Sequence, residues 1–239
     1  AQSRTRRCGT ADHIQICCAR HRASSPVGFG FDVPSCPSYL GFRSISPGTR
    51  IGLLGGSFDP AHAGHLHISL VALKRLSLDQ VWWLVSPQNP IKLHRPSQSY
   101  EERVSTARNI ALHPRIRVST LERDLRSCYT IDTLRLLQRH APHLNFTLMM
   151  GADNFLQLNA WKDWTEIMAL APVAVFGRPG YHLRAASSMA ATRYLSCRVG
   201  ENDCQRLPFT KPPAWTLIFN RLFDISSSTL RAERAPPGN

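Results

Sequence analysis

The sequence has few acidic residues and no long apolar run. Nowhere in its 239 residues does it reach the roughly 18–20 consecutive apolar positions that a membrane-spanning helix needs. A soluble, cytoplasmic protein with no membrane partner is expected. No CxxC pair occurs, which removes the usual frameworks for structural zinc. The seven cysteines (Cys8, Cys17, Cys18, Cys36, Cys128, Cys197 and Cys204) are odd in number and irregular in spacing. That argues against a disulfide framework and for free thiols. The Walker string GxxxxGK[ST] is missing, as are RNP and zinc-finger patterns.

The shortage of acid sets the charge. Asp and Glu number 16 against 29 Lys and Arg, a formal net charge of +13. Such a balance favours polyanionic partners: nucleic acid, an anionic membrane surface or phosphorylated small molecules. The basic residues are scattered and form no nucleic-acid module, so a nucleotide substrate accounts for part of the charge. The 43% hydrophobic content is ample for the core of one good-sized α/β domain.

Residues 1–49 differ from the rest of the chain. They hold four of the cysteines, little periodicity, and Arg4, Arg6, Arg7, Arg20, Arg22 and Arg43 against only Asp12 and Asp32. An Arg-rich, acid-poor leader suits a targeting segment, but the apolar stretch of a secretory signal is missing. A disordered or non-native extension is expected for 1–49, and a domain with a short C-terminal end for 50–239.

From Arg50 the pattern becomes regular. Ile51–Leu54 is an apolar run ending in Gly55-Gly56, a buried strand leaving through a tight turn. The spacing predicts helices over His65–Leu76, Tyr100–Leu112 and Thr130–His140, the second with Glu101 and Glu102 in its first turn. Further strands are predicted at Val81–Val85, Ile116–Val118, Phe146–Met150, Val173–Phe176 and Trp215–Phe219. Helical turns are predicted around Asn154–Leu158 and Trp164–Leu170, and 180–213 reads as irregular. Strands alternate with helices and lack polar alternation. The prediction is a doubly wound α/β fold with a mostly parallel sheet covered on both faces. Ligands of such sheets sit beyond the carboxyl ends of the strands.

The chemistry concentrates in Gly55-Gly56-Ser57-Phe58-Asp59-Pro60-Ala61-His62-Ala63-Gly64-His65. A strand ends, glycines permit close approach, and a helix begins whose backbone amides can hold phosphate oxygens. His62 and His65, three residues apart on a first helical turn, aim at one region. By residue type the same string also suits a plain turn with two solvated histidines, or a metal site formed with His67.

Gly-Ser-Phe-Asp-Pro-Ala-His-Ala-Gly-His resembles the (G/S/T)-x-x-x-x-x-H-x-G-H motif of the nucleotidylyltransferase superfamily. The wider match is similar to the bacterial nicotinate-nucleotide adenylyltransferases. It includes Ser86–Lys92, Cys128–Leu134, Gly151–Asn154, Trp161–Trp164, Gly177–Tyr181 and Ile225–Arg231, in family order between Arg50 and Arg234. Ser228 stands where Thr is usual in that family.

The resemblance implies a Rossmann-like fold and transfer of AMP from ATP to nicotinate mononucleotide, giving deamido-NAD and pyrophosphate. It implies catalytic roles for His62, His65 and Arg231. ATP contacts are implied for Gly55, Gly56, Ser57, Phe58, Asp153, Ser226 and Ser227. Thr130, Trp161 and Lys92 (or nearby His94 and Arg95) are implied for the mononucleotide. Mg²⁺ would be held mainly by the ATP phosphates, with no dedicated metal site in the protein. Each residue has a plainer reading too: packing for Trp161, a solvated basic loop for Lys92, and helix caps for Thr130, Asp153 and Ser226–Thr229. Two rivals stand beside the leading function. One is a sister transferase for another phosphate, such as phosphopantetheine; the other is a basic nucleic-acid-binding protein using the fold as a scaffold.

Overall fold

A computed structural model describes residues 42–87, 97–177 and 182–219. Its strands are β1 Arg50–Gly56, β2 Gln80–Val85, β3 Ile116–Ser119, β4 Asn145–Gly151, β5 Val173–Phe176 and β6 Trp215–Ile218. The helices are α1 Ala63–Arg75, α2 Tyr100–Ile110, α3 Leu121–Asp124, α4 Thr130–His140, α5 Ala152–Leu156, α6 Trp164–Leu170, α7 His182–Ala186 and α8 Met189–Arg193.

The strands form one parallel sheet in the order β3-β2-β1-β4-β5-β6. Strand order therefore reverses between β1 and β4, the position at which doubly wound sheets leave a crevice for ligand. Successive residues of a strand feed opposite layers. Val81, Trp83 and Val85 pack with α1 and α2 on one face, while Trp82 and Leu84 join the layer beneath α4. Burial on both faces is why the strands read as uninterrupted apolar runs.

Gly52 is needed for this packing. A Cβ there would lie 2.4 Å from the Met149 sulfur and 2.7 Å from a Leu78 methyl. At the start of β1, Arg50 binds Asp79 in bidentate fashion, through Nε at 2.9 Å and Nη2 at 2.6 Å, and so registers β1 against the start of β2.

The packed body begins earlier than the sequence-based boundary at residue 50. Phe42 and Ile45 are buried in the core, and the Phe42 ring stacks on Trp82 with centroids 5.6 Å apart. Gly48 N–H donates to the His143 carbonyl at 2.7 Å. The stretch expected to be irregular after 180 carries α7, α8 and 3₁₀ turns at Leu195–Cys197 and Glu201–Phe209. Among the described residues no helix is long and apolar enough to cross a membrane.

Candidate active site

β1 runs out at the crevice through Gly55 and Gly56. Among the described residues a Cβ built on Gly55 meets no atom within 4 Å, whereas one on Gly56 would touch the Phe58 ring at 3.4 Å. This side of Gly55 is therefore open among the described residues. Phe58 then turns the chain with a left-handed φ of 47°. Its side chain is buried, stacked on Trp83 at 5.1 Å and against His65 at 4.8 Å. Any ligand contact from Phe58 must come from its backbone.

α1 opens on a cap made of two histidines. His62, the N-cap, accepts a hydrogen bond at Nδ1 from Gly64 N–H at 3.1 Å. His65 Nδ1 accepts in turn from His62 N–H at 3.2 Å. The ring centroids are 3.9 Å apart. Occupying Nδ1 as an acceptor places the proton of the neutral ring on Nε2. Both imidazoles thus become N–H donors of defined tautomer at a helix N-terminus, where backbone amides also favour anions. The cap is braced from below: Ser69 Oγ donates to the His65 carbonyl at 2.8 Å, and Trp83 Nε1 donates to Ser69 Oγ at 2.8 Å.

Two cross-ties hold this loop, and neither was apparent from sequence. Asp59, buried, accepts from Ser97 N–H at 2.9 Å, Ser97 Oγ at 2.7 Å and Gln98 N–H at 3.2 Å. Arg103 of α2 is 1% exposed and donates to the carbonyls of Ser57, Ser86 (2.8 Å) and Pro87 (3.0 Å). Burial lowers the Arg103 pKa, opposed by the nearby Asp59 carboxylate. The sequence signal for Arg103 was its place one turn before Ala107 on the buried stripe of α2. Glu122 of α3 is likewise buried, and desolvation pushes its carboxyl up to about 7 against an opposing hydrogen bond with Ser86.

The next strand brings Asp153 to the same end of the sheet, in the first turn of α5 beyond β4. Thr130 opens α4 in the layer on the other face, and Trp161 lies half-buried after the 3₁₀ turn Leu158–Ala160. Neither Thr130 nor Asp153 occupies a cap position; Tyr129 and Gly151 do. The segments carrying Thr130 and Trp161 are tied to each other. Arg135 of α4 reaches Asp163 at 3.1 Å and both Glu166 oxygens at 2.8 and 2.6 Å, and Lys162 sits 4.6 Å above the Tyr129 ring. Lys92, His94, Arg95, Ser226, Ser227 and Arg231 lie outside the described residues. Among the described residues no group of three or more His, Cys, Asp or Glu side chains could hold a metal ion.

A Rossmann-like parallel sheet whose switch point carries a helix capped reciprocally by two histidines is the architecture of a nucleotidyltransferase. The cytidylyltransferase-like family model matches residues 53–233. A relative from Methylorubrum extorquens (strain PA1), named "Probable nicotinate-nucleotide adenylyltransferase", is 50% identical over 182 residues, covering 76% of this chain and 98% of its own. One of the same name from Cereibacter sphaeroides (strain ATCC 17023) is 47% identical, with 76% and 96% covered. The chain belongs to the cytidylyltransferase-like family and, within it, to the nicotinate-nucleotide adenylyltransferases. The solved Plasmodium falciparum nicotinic acid mononucleotide adenylyltransferase complexed with NaAD shares the fold: TM-score 0.57 at 17% identity, over 77% of this chain and 83% of that one.

Proposed function

We propose that this enzyme transfers AMP from ATP to nicotinate mononucleotide, yielding deamido-NAD and pyrophosphate for NAD synthesis. The observation that carries the reading is the mutual cap of His62 and His65 at the start of α1, in which both Nδ1 atoms accept backbone N–H groups; the Nε2–H groups are assigned to phosphate. Relatives at 47–50% identity named for this activity support the same acceptor.

The reaction needs no general base. A phosphate oxygen of the mononucleotide is already anionic at neutral pH and attacks the α-phosphorus of ATP. One P–O bond forms, the bond to the β-phosphate breaks, and pyrophosphate leaves with the electron pair. The protein aligns two anions and stabilises charge on the transferring group. His62 and His65 donate to phosphate oxygens, and Arg231 is assigned to the same charge. Gly55, Gly56 and the backbones of Ser57 and Phe58 shape the shared pocket, with Asp153, Ser226 and Ser227 on the ATP side. Thr130, Trp161 and Lys92 are assigned to the mononucleotide, Trp161 as a stacking face and Lys92 for the phosphate.

Mg²⁺ commonly enters on phosphate oxygens with at most one or two carboxylates, and Asp153 is the carboxylate assigned to the ATP side. Bound there, Mg²⁺ would supply charge neutralisation on the phosphates.

The test is pyrophosphate release from ATP with nicotinate mononucleotide, its amide and phosphopantetheine measured side by side. The acid mononucleotide should be turned over fastest. Preference for phosphopantetheine, or salt-dependent nucleic-acid binding without pyrophosphate release, would overturn the reading.

A further inference from the structure

Phe58 lies in the loop between β1 and α1, and its backbone is strained at a left-handed φ of 47°. A left-handed φ is unfavourable at an aromatic residue and persists only where its surroundings over-determine it. Phe58 is held in three ways. Its ring packs on both Trp83 and His65, whose rings also meet each other. On its C-terminal side the Asp59 carboxylate is anchored to Ser97 and Gln98 at the entry to α2. On its N-terminal side the Ser57 carbonyl is gripped by the buried Arg103 guanidinium.

The third restraint has a directional effect. A trans peptide is planar, with its C=O and N–H antiparallel. The Ser57–Phe58 peptide is trans. A Ser57 carbonyl turned onto Arg103 therefore sends the Phe58 N–H the opposite way, away from α2. The same guanidinium takes the Ser86 and Pro87 carbonyls, so one cation sets the ends of β1 and β2 together. Ser86 N–H adds a bond to the Gly56 carbonyl at 2.9 Å. A buried guanidinium given to three carbonyls, with its Nε left without a hydrogen bond, is a costly way to pin loops, and it suits loops that must themselves present donors to an anion.

We propose that Arg103 is a positioning residue for adenylyl transfer: by holding the Ser57 carbonyl it aims the Phe58 N–H into the phosphate site. The inference rests on the function proposed above. Arg103 itself touches no substrate. Its effect reaches the reaction through one backbone donor, beside the donors of His62 and His65.

The experiment compares wild type, Arg103→Lys, Asp59→Asn and the double variant. The readouts are thermal melting, kcat and KM for each substrate, and titrated ATP binding to score the folded fraction. If wild type releases no pyrophosphate with any of the three acceptors, the functional reading fails before Arg103 is tested. With wild type active, Arg103→Lys should bind ATP stoichiometrically yet lose about 10²-fold in kcat, the order expected for a misplaced transition-state donor. Changes in KM should stay within a few-fold. Because Arg103 and Asp59 restrain the two sides of one residue, Phe58, the double variant should lose much less than the product of the single losses. Two outcomes sink the proposal: a kcat for Arg103→Lys within threefold of wild type per ATP site, or multiplicative losses in the double variant. A kcat loss that tracks only the folded fraction also counts against it. Should Arg103→Lys fail to fold, Asp59→Asn alone must show the kcat loss at full ATP stoichiometry, and its absence overturns the account of a Phe58 restrained from both sides.

Discussion

His65 accepts the backbone N–H of His62 at Nδ1 while His62 accepts that of Gly64, so each ring is oriented by the helix it caps. Ser/Thr with Glu/Gln is the common pairing in such a reciprocal cap. Imidazoles here do two jobs: one nitrogen closes the helix and the other remains a donor. Structure and activity can therefore be separated by substitution.

His62→Asn keeps a strong N-cap acceptor, and His65→Gln keeps an acceptor suited to the third helical position. Both variants should melt within about 1 kcal/mol of wild type, whereas His65→Ala forfeits the cap as well. Turnover should fall by about 10²–10³ in each, as for loss of a single transition-state donor. A folded His62→Asn or His65→Gln enzyme turning over within threefold of wild type would rule out the assigned role.

Two glycines of β1 should respond in opposite ways. Gly52→Ala drives a methyl into Met149 and Leu78 and should cost about 1–3 kcal/mol, with kinetic constants little changed in the folded fraction. Gly55 has no left-handed φ and, among the described residues, no neighbour for a Cβ. Gly55→Ala should leave stability within about 1 kcal/mol, while the methyl occupies ligand space and raises KM for one or both nucleotides. Denaturant melts beside steady-state kinetics decide it; wild-type KM values for Gly55→Ala would contradict the open-space reading.

Where sequence and structure agree, a local pattern carries the information. The helix Thr130–His140 and the strand Val173–Phe176 have the predicted bounds, because an apolar stripe and a two-faced apolar run are visible within a few residues. Four-residue α3 was missed, since its buried Glu122 breaks any apolar pattern. Phe42 and Ile45 were missed as well, because two apolar anchors without a period carry no local signal and their partner Trp82 is distant in sequence. The same division runs through the site. The histidine cap is contained in four consecutive residues, whereas Asp59 meets Ser97 and Arg103 meets Ser57 only through the fold.

Glu122 should make stability fall as pH rises. Its folded pKa is raised to about 7 from an ordinary 4.5 because burial disfavours the carboxylate. The folded state then holds a proton that the unfolded chain has released. The stabilisation is complete below about pH 4.5 and is lost as pH climbs to about 7. Glu122→Gln, neutral throughout, should be the more stable protein above pH 7, by the order of 3 kcal/mol at 1.36 kcal/mol per pKa unit. Its advantage should shrink toward pH 4.5. Urea melts at pH 5 and pH 8 measure this; an unchanged gap between variant and wild type at the two pH values would show that Glu122 does not titrate in this window.

Arg135 separates stability from acceptor recognition. Its charge is held by Glu166 and Asp163, which raise its pKa while its guanidinium lowers that of Glu166. The pairs lie at the surface, so their net contribution to stability should not exceed about 1 kcal/mol. Asp163, however, sits in the left-handed region at φ 51° and directly follows Trp161-Lys162, so Arg135 restrains the segment carrying the proposed stacking face. Arg135→Ala should leave melting nearly unchanged and raise KM for nicotinate mononucleotide several-fold, with KM for ATP unaffected. Salt screens exposed pairs over about 8–10 Å. Raising ionic strength should therefore bring the wild-type mononucleotide KM toward that of the variant, after correction for the direct effect of salt on phosphate binding measured with ATP. Equal changes in both KM values would mean that Arg135 acts on the fold as a whole and not on the Trp161 segment.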